Sequence, residues 1–148
     1  MIQRIQSIWL LLAAFTILCL VFVPSLGAAA NGGYYTLFAS GLKLEGVANQ
    51  ATNYPLLIST ILAGLISLVN IFNFRNRKLQ VRIASFNIVL ILALSFWMAQ
   101  LVRGLDGLTT IDIEPGLYLP IVSIIFTFLA IRGIKKDEKL IRSADRLR

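Results

Sequence analysis

Apolar residues along the chain gather into four long runs, 8–30, 54–74, 83–101 and 117–134, and none of them contains Asp, Glu or Lys. A helix rises about 1.5 Å per residue, so a bilayer core about 30 Å thick is crossed by roughly 20 apolar residues. The first three runs, at 23, 21 and 19 residues, meet that length. The fourth has 18 and carries Arg132 near its end, so it spans if that guanidinium snorkels to the headgroups. None of the four shows the polar face of a helix that packs in water. Nor does the sequence show the short alternating strands of a membrane barrel. Hydrocarbon offers backbone groups no partner, so the pattern predicts four transmembrane helices.

The intervening segments are polar. In 31–53, apolar and polar positions alternate over 34–38 and again over 42–45, with Ala39-Ser40-Gly41 between them, which predicts a hairpin. Residues 75–82 read as a tight basic connector, and 108–113 as a third strand added to the hairpin. Pro24 should kink or stop the first helix late in its run, whereas Pro120 is tolerated in the first turn of the fourth.

Composition sharpens this. Hydrophobic residues make up 57% and charged residues 14%, with mean hydropathy +0.80. Soluble domains run at roughly a quarter charged. The net charge is +7. Twelve of the 14 Lys and Arg fall before the first run, in the second connector or from Arg132 at the end of the fourth run through the tail; only Lys43 and Arg103 lie on the other side. Adding the acids, the two faces carry +9 and −2. Basic flanks stay in the cytoplasm, which places both termini there and puts Tyr34, Tyr35, Tyr54 and Tyr118 at the outer interface. A competing reading takes the first run as a secretory signal cleaved near Ala28-Ala29-Ala30; the run exceeds the roughly 7–15 apolar residues of such signals.

Candidate chemistry is sparse. With no His and only Cys19, imidazole acid–base catalysis, the usual zinc sites and any internal disulfide are excluded. No intramembrane carboxylate is present to relay protons, and no base to activate a Ser or Thr, so no catalytic residue and no enzyme activity is expected. Asp106, Asp112 and Glu114 share one loop without the glycine of an ion-binding turn, a weak set for a divalent cation. No metal or cofactor is expected. Asn70, Asn73 and Asn87 lie toward the cytoplasmic ends of the second and third runs, either as a polar pocket or as interhelical hydrogen bonds. Ser59, Ala63 and Ser67, with Thr60 and Gly64 alongside, form a small-residue stripe for close helix packing, either a seam within the bundle or a surface for a partner helix. In the tail, Leu140, Ala144 and Leu147 recur at i, i+4 and i+7 among cations. Lys135, Lys136, Lys139, Leu140, Arg142, Arg146 and Leu147 are candidate contacts for a partner or for anionic lipid, each cation near a membrane adding about 1 kcal/mol. The alternative is a basic anchor that only holds orientation. Interspersed acids and the lack of an aromatic disfavour nucleic acid.

The stretches MIQRIQSIWLLLAA, NIFNFRNRKLQVR, YLPIVSIIFTFLAIRGIKKDEKL and RSADRLR together resemble a family of unknown function, small four-helix inner-membrane proteins of Bacteroidota. The resemblance implies a four-span protein of the cytoplasmic membrane and brings no activity, substrate or site residue. The expectation is an all-α membrane protein of one domain, 1–148. It is an antiparallel bundle of four transmembrane helices with a small extracytoplasmic β-hairpin cap, a cytoplasmic amphipathic helix over 135–148, and both termini inside a bacterial inner membrane. The expected role is a non-catalytic accessory or scaffold subunit that binds membrane lipid and another membrane protein or a second copy of itself. The alternative is a small-ligand or lipid carrier with a polar pocket inside the bundle.

Overall fold

Asparagine sets two of the helix starts. A computed structural model describes residues 3–47 and 52–145. In it, Asn53 Oδ1 accepts the Leu56 N–H at the start of α2 (Tyr54–Phe72), and Asn76 Oδ1 accepts the Leu79 N–H at the start of α3 (Arg77–Arg103). Each cap satisfies a donor that the helix itself leaves open. The second cap corrects one expectation. Residues 75–82 are not a connector, because α3 already begins at Arg77 and carries Lys78 and Arg82 on its first turns. The link is only the 3₁₀ turn Asn73–Arg75 and Asn76. The last helix, α4 (Tyr118–Asp145), follows the 3₁₀ turn Pro115–Leu117 and holds Pro120 in its first turn; the fourth apolar run and the tail as far as Asp145 form one continuous helix. Tyr54–Phe72, Arg77–Arg103 and Pro115–Ile141 are long and apolar enough to cross a membrane.

The first run departs most from expectation. Helix α1 covers Gln3–Cys19, and its apolar part, Ile5–Cys19, is shorter than the other three. Tight turns carry the chain on to Val23, whose N–H donates to Cys19 O at 3.0 Å, and Pro24 ends them. Proline has no N–H and clashes with the preceding turn. Residues 26–30 are therefore not the end of a span but a strand, β1 (Leu26–Ala30). It pairs antiparallel with β2 (Gly33–Phe38) on one edge and β4 (Thr110–Ile113) on the other, and β3 (Gly41–Leu44) adds to β2. The predicted hairpin is present as β2 and β3. It is half of a four-stranded sheet of order β3-β2-β1-β4, and the last strand joins β1 rather than the hairpin.

Strand pairing places side chains in rows. Leu42, Leu37, Leu26 and Ile113 are in register on one face; Leu37 and Ala28 are buried there, in a core with Leu20, Leu56, Leu94, Met98 and Val102. Lys43, Thr36, Gly27 and Asp112 form the opposite row. The sheet thus lies across the ends of the helices and turns its apolar face onto them.

Helices α1 and α2, α2 and α3, α3 and α4, and α4 and α1 pack together. Ser123 Oγ donates to Ala13 O at 2.8 Å, Trp9 stacks on Phe126 with centroids 5.6 Å apart, and Gln6 Nε2 donates to Asp137 Oδ2. Partners descend along α1 as they rise along α4, so the two run antiparallel. The small-residue seam is internal: a side chain at Gly64 would meet Leu18 of α1, and Thr60, Ala63 and Ser67 are buried. All four tyrosines lie at the sheet end, Tyr34 and Tyr35 on β2, Tyr54 and Tyr118 at the starts of α2 and α4.

Gly116 brings the start of α4 against β1. Its N–H donates to Pro24 O at 2.8 Å, and a Cβ there would fall 2.4 Å from that oxygen, which is backbone. Gly116→Ala is expected to destabilise by about 1–3 kcal/mol, as overpacking at a rigid contact does. Gly104→Ala, where a Cβ meets only ordinary contacts near 3.5 Å, should be neutral or stabilising. Denaturant unfolding of both variants in detergent, followed by circular dichroism, checks the contrast.

Candidate functional site

Polar side chains that stand apart in sequence meet between α2 and α3, at the end away from the sheet. Asn70 Nδ2 donates to Gln80 O at 3.0 Å, and Gln80 Nε2 returns a bond to Asn70 O at 3.1 Å. Seven residues further along α3, Asn87 Nδ2 donates to Ser67 Oγ at 2.7 Å. All four residues are buried. The order 70 to 80 and 67 to 87 makes this pair antiparallel too. Asn70 Oδ1 and Asn87 Oδ1 are buried without a protein partner. Asn73 closes α2, its N–H donating to Asn70 O. Asn70 and Asn73 also edge a surface groove of about 360 Å³ with Ile66, Val69, Ile83 and Phe86. Asn87 does not line it. The structure therefore brings two of the three expected asparagines to one concavity and commits the third to a helix–helix hydrogen bond. Gln80, half of the reciprocal pair, was hidden in what reads as a basic connector.

A second polar contact joins α1 to α4 at this same end. Asp137 is buried against Gln6, with its other carboxylate oxygen unpartnered by protein. Gly133 leaves the room, since a Cβ there would fall 3.1 Å from Gln6 Cγ. Asp137 reads in the sequence as one of the acids scattered through a solvated tail, yet it continues the buried stripe Ser123, Thr127, Ala130, Ile134. That 4-3-4-3 spacing was the available signal.

Beyond Asp137 the helix faces outward. Lys135, Lys136 and Lys139 are exposed, and Leu140 and Ile141 remain about half exposed beside them. Arg146 and Leu147 lie outside the described residues, as does the side chain of Arg142.

At the sheet, Tyr34 crosses β1 above Gly27, where a Cβ would strike its hydroxyl, and donates to Asp112 Oδ2 at 2.9 Å. That hydrogen bond, with the nearby acids, raises the Tyr34 pKa above 10.0. Lys43 Nζ lies 4.8 Å from the Phe38 ring centroid on the same face. Asp106 contributes its main-chain oxygen to the Asn31 N–H. Among the described residues no three His, Cys, Asp or Glu side chains are grouped to hold a metal ion.

The family model for DUF4293, a domain of unknown function, matches residues 2–147, and the chain belongs to that family. No curated protein and no solved structure matches it at a significant level.

Two outcomes follow from this geometry. Ser67→Ala leaves the buried Asn87 amide without its acceptor and should cost about 1–3 kcal/mol, whereas Ser67→Ala with Asn87→Leu recovers part of the loss. Unfolding midpoints across the double-mutant cycle measure it. The Tyr34 contribution has a defined pH window. Its folded pKa lies above the unfolded value of 10.0, so the stabilisation is complete below pH 10 and fades as pH climbs through the raised value. Unfolding midpoints from neutral to strongly alkaline pH should converge for wild type and Tyr34→Phe at the alkaline end.

Proposed function

We propose that the chain is a four-span integral protein of a bacterial inner membrane, both termini cytoplasmic, acting as a non-catalytic accessory or scaffold subunit. The distribution of side chains supports membrane residence. Phe15, Val69, Phe86, Phe96 and Phe128 point outward, each about 60% exposed or more, while Asn70, Asn87, Ser123 and Thr127 are buried. Water would select the reverse. Helix α1, about 25 Å long at 1.5 Å per residue, approaches a span once the turns to Val23 are added. Orientation rests on the charges, since the cation-rich segments share the end away from the sheet.

The observation that carries the scaffold reading is α4. It runs unbroken through the apolar zone to Asp145 and holds Leu140 and Ile141 in the open among Lys135, Lys136 and Lys139. An apolar stripe on a basic helix beyond a span suits a partner docking at the membrane surface. A second reading, a small-ligand or lipid carrier, is favoured by the unpartnered Asn70 Oδ1 beside the groove it shares with Asn73.

Topology and partnership have separate tests. In a Cys19→Ser background, Thr109→Cys should react with a membrane-impermeant maleimide in cells whose outer membrane is permeabilised, and Ser143→Cys only after the inner membrane is broken. Purification in mild detergent should then recover a protein in stoichiometric amount, lost with Leu140→Asp/Ile141→Asp while membrane localisation is kept. Recovery of the wild-type chain alone, as a monomer, overturns the scaffold reading.

A further inference from the structure

We infer that the cavity under the sheet, between α3 and α4, binds the ester-carbonyl end of a glycerolipid acyl chain, with Ser25 as its hydrogen-bond donor. The inference rests on the membrane reading above and adds a site to it. The cavity has a volume of about 150 Å³, and its walls include Leu26, Leu37, Met98, Leu117 and Ile121. Ser25 lines it, is 2% exposed, and has a buried hydroxyl with no protein partner. Its backbone is held from both sides, the N–H donating to Leu37 O at 2.8 Å and the carbonyl accepting from Glu114 N–H at 3.3 Å. These two bonds hold residue 25 beneath the sheet, where its hydroxyl is buried. Ser95, the other hydroxyl on the cavity wall, is already committed to Ile91 O at 2.9 Å.

A buried hydroxyl left unpaired is costly. Water is a poor partner here, because an ordered water wants two to four polar contacts and Ser25 is the one wall hydroxyl with a proton left to donate, in a lining that is otherwise largely apolar. The fitting ligand has an apolar body and a single acceptor oxygen. A cavity near 150 Å³ accommodates about one benzene-sized group, enough for an ester and the first carbons of a chain. Access is lateral: Ile121 on the wall is about half exposed, next to the outward face that carries Phe96 and Ile125. Depth agrees as well. The cavity lies where the sheet meets the helix ends, and Trp97 and Tyr118 adjoin its lining residues Met98 and Leu117 in the chain, at the level where interfacial aromatics and lipid esters sit.

The test uses the full chain in nanodiscs of phosphatidylethanolamine and phosphatidylglycerol, doped with a phosphatidylglycerol that carries a diazirine beside one acyl ester. After illumination, adducts are mapped by peptide mass spectrometry. They should concentrate on 95–99 and 117–121 relative to 125–128, a lipid-facing stretch of the same α4. Ser25→Ala should lower the yield at 95–99 about fivefold, the factor that one hydrogen bond is worth. Ala99→Phe, which fills the cavity from α3, should remove it, and Val89→Phe should leave it unchanged. Yields at 95–99 no higher than at 125–128, or indifferent to both Ser25→Ala and Ala99→Phe, overturn the site. Clearance of the adducts by an added short-chain benzoquinone assigns the cavity to a quinone carbonyl and overturns the lipid. Absence of adducts everywhere, 125–128 included, overturns the membrane reading itself.

Discussion

The sheet end of the molecule depends on one strand having partners on both edges. Helix α1 gives way to turns after Cys19 and Pro24 ends those turns, which leaves the N–H and C=O groups of 26–30 free to bond outward. Both edges of β1 are used, β2 on one and β4 on the other. The same short stretch ties in the neighbouring turns. Pro24 O holds Gly116, Ser25 holds Leu37 and Glu114, and Ala29 O holds Thr109. Had the helix continued through 30, those backbone groups would have satisfied one another, and β2 and β4 would have faced each other with no strand between them. A residue without an N–H thus keeps the turns from running on as helix, and the two neighbouring strands make 26–30 the centre of the sheet.

Between the helices the problem is different. Apolar side chains gain nothing by leaving lipid for a protein interior, so association in a bilayer relies on close packing and hydrogen bonds. On the membrane reading proposed above, the interfaces follow that logic. Gly64 admits Leu18 and Gly133 admits Gln6, while hydroxyls and amides reach across to neighbouring helices: Ser123 to the Ala13 carbonyl, Asn70 and Gln80 to each other's main chain. A carbonyl already engaged in its helix retains a second lone pair, so these contacts satisfy the side chain without unwinding anything.

The parts legible in the sequence were those fixed by local periodicity. Three long apolar helices, the hairpin of 33–38 with 41–44, and the stop at Pro24 were all readable from spacing. The strand β1 was not. Leu-Gly-Ala-Ala-Ala reads as the tail of a helix or as a cleavage site, and it becomes a strand only because Thr110–Ile113, some eighty residues away, supplies its second edge. Asp137 went unremarked for the opposite reason. Its position on the buried stripe was visible, but its charge argued for solvent, and the compensating partner was Gln6 at the far end of the chain. Gln80 was lost because a cluster of cations masked a helix start that Asn76 signals. Nothing local marks Ser25: its burial depends on two strands and on the turn before α4.

The two ends of the molecule are consequently held by different kinds of bond, and this bears on the scaffold role proposed above. At the sheet end a backbone ladder fixes the geometry, and a ladder is indifferent to most side-chain changes on the surface. At the cation-rich end the helices are joined by amide and carboxylate contacts, worth roughly 0.6–2 kcal/mol each in a membrane. Energies of that size are comparable with what one docking contact or one bound headgroup supplies. Asp137 sits within one helical turn of Lys136, Lys139 and Leu140, so a partner on the exposed stripe of α4 would load the helix next to its contact with Gln6. On the scaffold reading proposed above, binding at the tail would bear first on the buried Gln6–Asp137 contact, while the backbone ladder holds the opposite end in place.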